Sequence, residues 1–326
     1  MNIFSRIFGT RNSPTERASN EHPKCRVSFE EKKTKPSSAI KRTKSTVPRK
    51  PTESEAVLFF LGTFGLISDF LSAGKSRDAM YATSALAYFY QQDFENGFRK
   101  IAESRRCLNL LSIMPAISFA TDLNGYLKNT LAIDESTNLS CHCEHSLENN
   151  EFFLRLDGVE HSLFTGSCFT KKHFSEIKKI LSIKESEFPF KSGALIEGAV
   201  LFLIGTVDIV MRLLEDDKPK EAAFAISILI HVWEKHHEKA FSSIKGTQKA
   251  LILGTVNPLK HILISLRINI LDYGEIDEPI SCTGDYTCKL STQAFNIKID
   301  GTVYQMFKGM NLNSEYLHEI RTILNP

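Results

Sequence analysis

The chain has 326 residues, of which 42% are hydrophobic and 24% are charged. These proportions are ordinary for a globular protein and exclude a chain that is disordered throughout, and the length allows about two domains. The net charge of +2 conceals an asymmetry: residues 1–50 hold 13 Lys or Arg against four Asp or Glu, which leaves −7 for the remainder. We therefore predict a basic arm followed by a mildly acidic folded body.

The first 52 residues are predicted to form a disordered arm, because they are rich in Ser, Thr, Pro, Lys and Arg and contain few large apolar side chains. A short amphipathic start, with Ile3, Phe4, Ile7 and Phe8 on one side, suits contact with a membrane surface. A frayed terminus and a solvated linker are the alternatives. The basic side chains predicted to meet anionic lipid, nucleic acid or another acidic partner are Lys32, Lys33, Lys35, Lys41, Arg42, Lys44, Arg49 and Lys50.

The seven cysteines are an odd number, and the first nine residues lack the apolar core of a secretory signal. Reduced thiols and a cytoplasmic location are the prediction from these two features. A peripheral position at the inner face of a membrane is the alternative, because of the basic arm.

One stretch of the chain occurs twice at an offset of 143 positions, so that Gly62-Thr63 recurs as Gly205-Thr206. Residues 56–90 and 199–233 share 12 identities in 35 positions, and the register holds without a gap from about 54–182 against 197–325. A period this long indicates a duplicated domain. We predict repeat domain 1 at 53–183, a linker at 184–196 and repeat domain 2 at 197–326, packed as a monomeric pseudo-two-fold dimer.

Each repeat is predicted to begin with a helix that is apolar on nearly all sides, at about 55–72 and 194–214. We predict central core helices rather than a transmembrane pair. The first run has only about 16 residues before Asp69, short of the roughly 20 a span needs, and the second contains Glu197 and Asp208. Each central helix has small side chains at one level along its axis, which predicts that the two helices cross there. The residues at this level are Gly62 and Thr63 in the first helix and Gly205 and Thr206 in the second.

The later elements also recur. Second helices are predicted from Ser76 and Pro219, third helices at about 94–111 and 237–253, and fourth helices after Pro115 and Pro258. Asp-Gly turns at 157–158 and 300–301 predict two β-hairpins, and each repeat closes with a helix, at 172–182 and 314–324. The predicted class is therefore α+β, a helical bundle with a small antiparallel hairpin or sheet in each repeat.

Two polar clusters are candidates for chemistry. Cys141, Cys143 and His145 would share one face of a strand and could hold zinc with a fourth ligand from Cys168 or His161, although the spacing matches no common zinc motif. The second cluster, on a helix that ends repeat 2's apolar run, consists of His231, Glu234, His236, His237 and Glu238. It lacks the HExxH spacing of metalloproteases, and a solvated helix end is the alternative.

No catalytic motif accompanies these clusters: the chain has no G-x-S-x-G elbow and no Walker A loop. The leading hypothesis is a non-enzymatic interaction or adaptor protein, which binds a protein partner through the duplicated body and an acidic partner or surface through its arm. The alternatives are a metal-assisted enzyme with an asymmetric site and a peripheral membrane-associated protein.

Overall fold

The computed structural model describes residues 52–90, 99–100, 111, 113–132, 144–146, 152–156, 158–166, 169–182, 194–238, 256–273, 296–299 and 301–324. The described residues belong to one compact unit that runs from Pro51 to Pro326. They are mostly helical with two small antiparallel sheets, so the predicted α+β class is confirmed. Below, the first half means residues 52–182 and the second half means residues 194–324.

The helices of the two halves have matching lengths and positions. The first half contains α1 (Glu53–Ser72), α2 (Ser76–Phe89), α3 (Met114–Thr130) and α4 (Lys171–Leu181). The second half contains α5 (Ala194–Glu215), α6 (Pro219–Val232), a π-helical turn (Trp233–His237), α7 (Asn257–Tyr273) and α8 (Ser314–Leu324). Apart from the extra residues at the start of α5, each helix pair begins and ends at the 143-residue offset.

The strands form the two predicted hairpins. β1 (Glu144–Ser146), β2 (Phe153–Leu156) and β3 (Val159–Ser162) form one sheet in that order, and β4 (Asn296–Ile299) pairs with β5 (Thr302–Gln305). Gly158 and Gly301 have φ of +80° and +81°, in the left-handed region that favours glycine, and each lies in the two-residue turn of its hairpin. β2 and β4 alternate between half-buried and buried side chains, while β3 and β5 are largely exposed.

The central helices α1 and α5 are core helices. In the described part of the chain, α1 is long and apolar enough to cross a membrane, but 78% of its most apolar window is buried inside the protein. Its first turn is fixed by a capping box, in which Thr52 Oγ1 accepts from the Glu55 amide and Glu55 Oε2 accepts from the Thr52 amide. Burial on every side explains why the sequence of α1 has little polar face.

The two central helices end in the same way. A left-handed residue follows each of them, Gly74 (φ +67°) after α1 and Asp217 (φ +55°) after α5. The backbone amide of the next residue donates a hydrogen bond back to the helix: Lys75 to the Phe70 carbonyl (2.8 Å), and Lys218 to the Leu213 carbonyl (2.7 Å). The next helix begins at Ser76, as predicted, and Lys75 is its N-cap residue.

Two helix pairs join the halves. α1 packs on α7, and α5 packs on α3. We call these contacts the α1–α7 seam and the α3–α5 seam. Within the halves, α2 packs against both α1 and α3, and α6 packs against both α5 and α7. A side chain of α3 or α7 donates to α2 or α6 at the same place: Asn124 Nδ2 to Ser84 Oγ (2.8 Å), and Arg267 Nε to Ser227 Oγ (2.6 Å).

The predicted crossing of the central helices at their glycines is corrected by this packing. A β-carbon on Gly62 would lie 2.8 Å from Phe164 and 2.9 Å from Leu163, and one on Gly205 would lie 2.5 Å from Met306. These glycines therefore let each helix approach the loop after its own hairpin. Thr206 Oγ1 donates to the Phe202 carbonyl (2.8 Å), whereas buried Thr63 Oγ1 has no partner among the residues described.

Candidate functional site

In the second half, a carboxylate fastens the central helix to the loop after the hairpin. Asp208, whose side chain is 0% exposed, accepts from the Lys308 amide (3.3 Å) and the Gly309 amide (3.0 Å). Arg212, one turn along α5, donates to Asp208 Oδ2 (3.0 Å) and to the Gln305 carbonyl (2.5 Å). Burial raises the pKa of the Asp208 carboxyl, although Arg212 and the two amides act in the opposite direction. We call this arrangement the second carboxylate joint.

The first half makes its joint with a different residue. The position that matches Asp208 is Gly65, whose missing side chain leaves room for Phe169, since a β-carbon there would lie 2.8 Å from its ring. The carboxylate comes from Asp69, at the position of Arg212, and Asp69 Oδ2 occupies the space that a β-carbon on Gly166 would need. This is the first carboxylate joint. Both joints bring a carboxylate against the equivalent glycine, Gly166 or Gly309.

A small cavity of about 40 Å³ lies beside the first carboxylate joint. Its lining includes Gly62, Gly65, Asp69, Thr165 and Phe169. A volume of this size accommodates about one water molecule and is far smaller than a typical small-molecule pocket.

Asp69 also belongs to a group of titratable side chains where α1, α4 and α7 come together. The pKa of His261 on α7 is lowered by partial desolvation of the ring and by the positive charges of Lys260 and His173, while Asp69 acts in the opposite direction. His173 Nδ1 accepts from the Thr170 amide (3.0 Å) at the start of α4. We call Asp69, His173 and His261 the seam cluster. It is the candidate functional site, because Asp69 lines the cavity and acts electrostatically, together with His173, on an imidazole of the other half.

Neutral hydrogen bonds continue along the same seam. Ser265 Oγ lies 2.8 Å from Ser68 Oγ and 2.7 Å from Ser72 Oγ, and Asn269 Nδ2 donates to Ser76 Oγ (2.8 Å). The α1–α7 seam is therefore polar at its centre as well as at the seam cluster.

The equivalent positions at the other seam carry different side chains. Asp69, His173 and His261 correspond to Arg212, Tyr316 and Ser118. Tyr316 is fully buried, which raises its pKa well above the usual value of 10, and Ser118 is buried with no hydrogen-bond partner among the described residues. The fold is thus compatible with either set of side chains, and a carboxylate with two imidazoles occurs at only one of these two equivalent places.

The predicted cluster at residues 231–238 is divided by the π-helical turn. His231, Glu234, His236 and Glu238 are exposed, whereas His237 turns inward and is 2% exposed. His237 lies 5.8 Å from Trp233 and 6.4 Å from Phe202, measured between ring centroids, and neither ring nitrogen has a hydrogen-bond partner among the described residues. Burial lowers the pKa of His237, and His236 adds to this effect.

Cys141 and Cys143 lie outside the described residues, as does the basic arm with its eight predicted contact residues. His145 lies on β1, at a backbone position opposite Leu154. Within the described ranges, no group of three or more His, Cys, Asp or Glu side chains has the geometry of a metal site. Zinc at Cys141, Cys143 and His145 therefore stays a prediction.

The carboxylates at Asp69 and Asp208 are functional candidates that sequence reasoning treated only as interruptions of apolar helices. The signal that could have identified Asp208 is Arg212 four residues later, which is the spacing of a helical ion pair. Comparison with known proteins adds no relative, since no protein family, curated protein or solved structure matches the chain.

Proposed function

We propose that the chain is a tandem duplication of one α+β unit, that the two copies pack as a pseudo-dimer, and that the product is a non-enzymatic interaction protein. The matched helix bounds, the left-handed residues at the same offset and the two carboxylate joints support the duplication. The α1–α7 and α3–α5 seams support the pseudo-dimer, because a two-fold contact exchanges the same pair of surfaces.

One observation carries the functional part of this proposal: equivalent positions retain the packing and differ in charge. α4 and α8 occupy the same place against α1 and α5, with buried Ile177 and Leu181 in one and Ile320 and Leu324 in the other. Their exposed positions have different charges, and Lys172 corresponds to Glu315. A symmetric scaffold with a different charged surface on each half is suited to binding a partner on one side.

The experiment is affinity capture with the full chain and with a variant in which the eight basic residues of the arm are replaced by Gln. Mass spectrometry identifies the proteins recovered in each case. A matched control replaces exposed body lysines, Lys218, Lys220 and Lys235, by Gln. We expect the arm variant, but not the control, to lose acidic partners and to retain those bound by the body. Recovery of no specific partner by the wild-type chain would overturn the proposal.

An enzyme with an asymmetric site is the second candidate, and the presence of the seam cluster at only one of the two equivalent seams favours it. Residues in this cluster could act as a proton donor and acceptor for a substrate near the α1–α7 seam. Zinc held by Cys141, Cys143 and His145 belongs to the same candidate. Metal analysis of the purified full chain tests the zinc site: zinc in a one-to-one ratio that is lost in Cys141→Ser supports it, and a chain purified without zinc removes the metal-assisted form of this candidate.

A further inference from the structure

Helix α4 has an exposed face made largely of lysines. Lys171, Lys172, Lys178 and Lys179 are all exposed, with exposed Ser175 between the two pairs. At 3.6 residues per turn these five positions fall within an arc of about 120°, and the two lysine pairs are about 10 Å apart along the axis. The opposite face of the helix packs on α1. We call the four lysines and Ser175 the lysine face.

The lysine face is unfavourable for the helix that carries it. Lys171 and Lys172 lie in the first turn, where the positive end of the helix dipole disfavours cations, and that turn contains no acidic residue. The equivalent helix α8 has Ser314 and Glu315 at these positions and packs in the same way. The fold therefore does not require these charges, and residues that oppose local stability often have a functional reason.

We propose that the lysine face docks the folded body on the anionic surface of a lipid bilayer. A group of at least four lysines on one side of an amphipathic helix is the pattern that recognises acidic lipid headgroups. The face presents no arginine, whose planar fork suits phosphate and base recognition in nucleic acids, and no aromatic ring on which a base could stack. A flat surface of diffuse negative charge therefore fits it better than a nucleic acid does.

The sequence of the arm supports the same partner. Residues 1–50 provide a second, separate basic segment, preceded by the apolar side chains Ile3, Phe4, Ile7 and Phe8. Two basic segments on one chain bind an extended surface more tightly than either does alone, and the apolar side chains suit a bilayer. The inference goes beyond the proposed function, because it assigns a contact to the folded body that does not depend on a protein partner.

The test is sedimentation of the full chain with vesicles of phosphatidylcholine containing about one third phosphatidylserine, against vesicles of phosphatidylcholine alone. The variant replaces all four α4 lysines by Gln, which retains helix propensity. The control replaces Lys218, Lys220, Lys235 and Lys308, which are also exposed, and so changes the net charge equally. Each lysine near an anionic membrane surface increases the binding constant by roughly five-fold. We therefore expect the α4 variant to bind the anionic vesicles more than about 100-fold more weakly than the control.

Two further measurements make the result decisive. The same α4 lysines replaced by Arg are expected to retain vesicle binding, and a cooperative urea unfolding transition of the Gln variant, at or above the wild-type midpoint, shows that it is folded. Equal binding by the α4 variant and the control would overturn the inference. So would binding to duplex DNA or RNA that depends on the α4 lysines when binding to vesicles does not. The arm variant, tested in parallel, measures the contribution of the arm separately, so a failed partner capture leaves this result interpretable.

Discussion

The two carboxylate joints reach the same glycine position from neighbouring turns of equivalent helices. In the second half Asp208 is buried, its charge is matched by Arg212, and it receives two backbone amides. In the first half the carboxylate lies one turn further along the helix, at Asp69. The position that matches Asp208 is Gly65, and Phe169 packs against it. The comparison teaches that the attachment of helix to hairpin loop is constrained, while the residue that provides it is not. It also accounts for the carboxylate of Asp69 that lies beside a small cavity in the first half and acts on His261 across the α1–α7 seam.

The largest expected effect comes from breaking the second joint. Asp208→Ala removes the partner of Arg212 and of two amides, and should lower the free energy of unfolding by about 3–5 kcal/mol. Asp69→Ala should cost less, about 1 kcal/mol, because Asp69 is only half buried. Urea unfolding of both variants measures the difference. Equal losses would show that the two joints are energetically equivalent and would contradict the comparison.

A smaller effect is expected from crowding the first joint. Gly166→Ala places a β-carbon on the Asp69 carboxylate and should cost about 1–3 kcal/mol. The double variant with Asp69→Ala should recover part of that loss, because it removes the group that the new methyl meets. Gly125→Ala on α3 is the matched control: no atom lies within 4 Å of its added β-carbon, and a helical Gly-to-Ala change stabilises by up to about 1 kcal/mol. A Gly166 variant that behaves like the control would disprove the contact.

The seams can be compared in the same way. Ser265→Ala on the α1–α7 seam removes the hydroxyl shared by Ser68 and Ser72 and should cost about 1 kcal/mol. Ser118→Ala on the α3–α5 seam should leave the stability unchanged or slightly higher, because that buried hydroxyl has no partner among the described residues. Thermal unfolding of the two variants distinguishes a polar seam from an apolar one. The same loss in both would mean that the serine contacts at Ser265 contribute nothing specific.

Local signals predicted most of the described elements. The Asp-Gly turns located both hairpins, and Pro258, next to the first residue of α7, located the start of that helix within one position. These features depend on backbone rules that act over a few residues. The predicted third helices lie mostly outside the described residues, so they stay predictions.

The partners of each helix could not be predicted in this way. Glycine in a buried helix indicates a close approach, but the sequence does not say whether the approaching element is the other central helix or the loop at Leu163 and Phe164. The seam cluster was missed for the same reason, since Asp69 and His261 lie almost 200 positions apart in the chain. His237 was grouped with solvated side chains because it stands between polar His236 and Glu238, although its spacing of four residues from buried Trp233 is that of one helix face.

The smallest expected effect is a change in how stability depends on pH. His237 is buried without a hydrogen-bond partner among the described residues, and its pKa in the folded protein is lowered. A histidine with a lowered pKa binds fewer protons when folded than when unfolded. Its neutral form therefore contributes full stability above about pH 6.5, and that contribution is lost as the pH falls below this value. We expect His237→Phe, which suits the pocket of Phe202 and Trp233, to lose less stability than the wild type between pH 7.5 and 5.5.

His231→Gln, on the exposed side of the same helix end, is the control for the removal of a histidine at this place. Some acid sensitivity should remain in His237→Phe, because His161 and His261 also have lowered pKa values. Adding His261→Gln to His237→Phe then tests the α1–α7 seam: a further flattening of the pH dependence assigns part of the remainder to His261. If His237→Phe and the wild type respond identically to pH, the buried imidazole of His237 is not what destabilises the protein in acid, and His161 and His261 become the principal candidates.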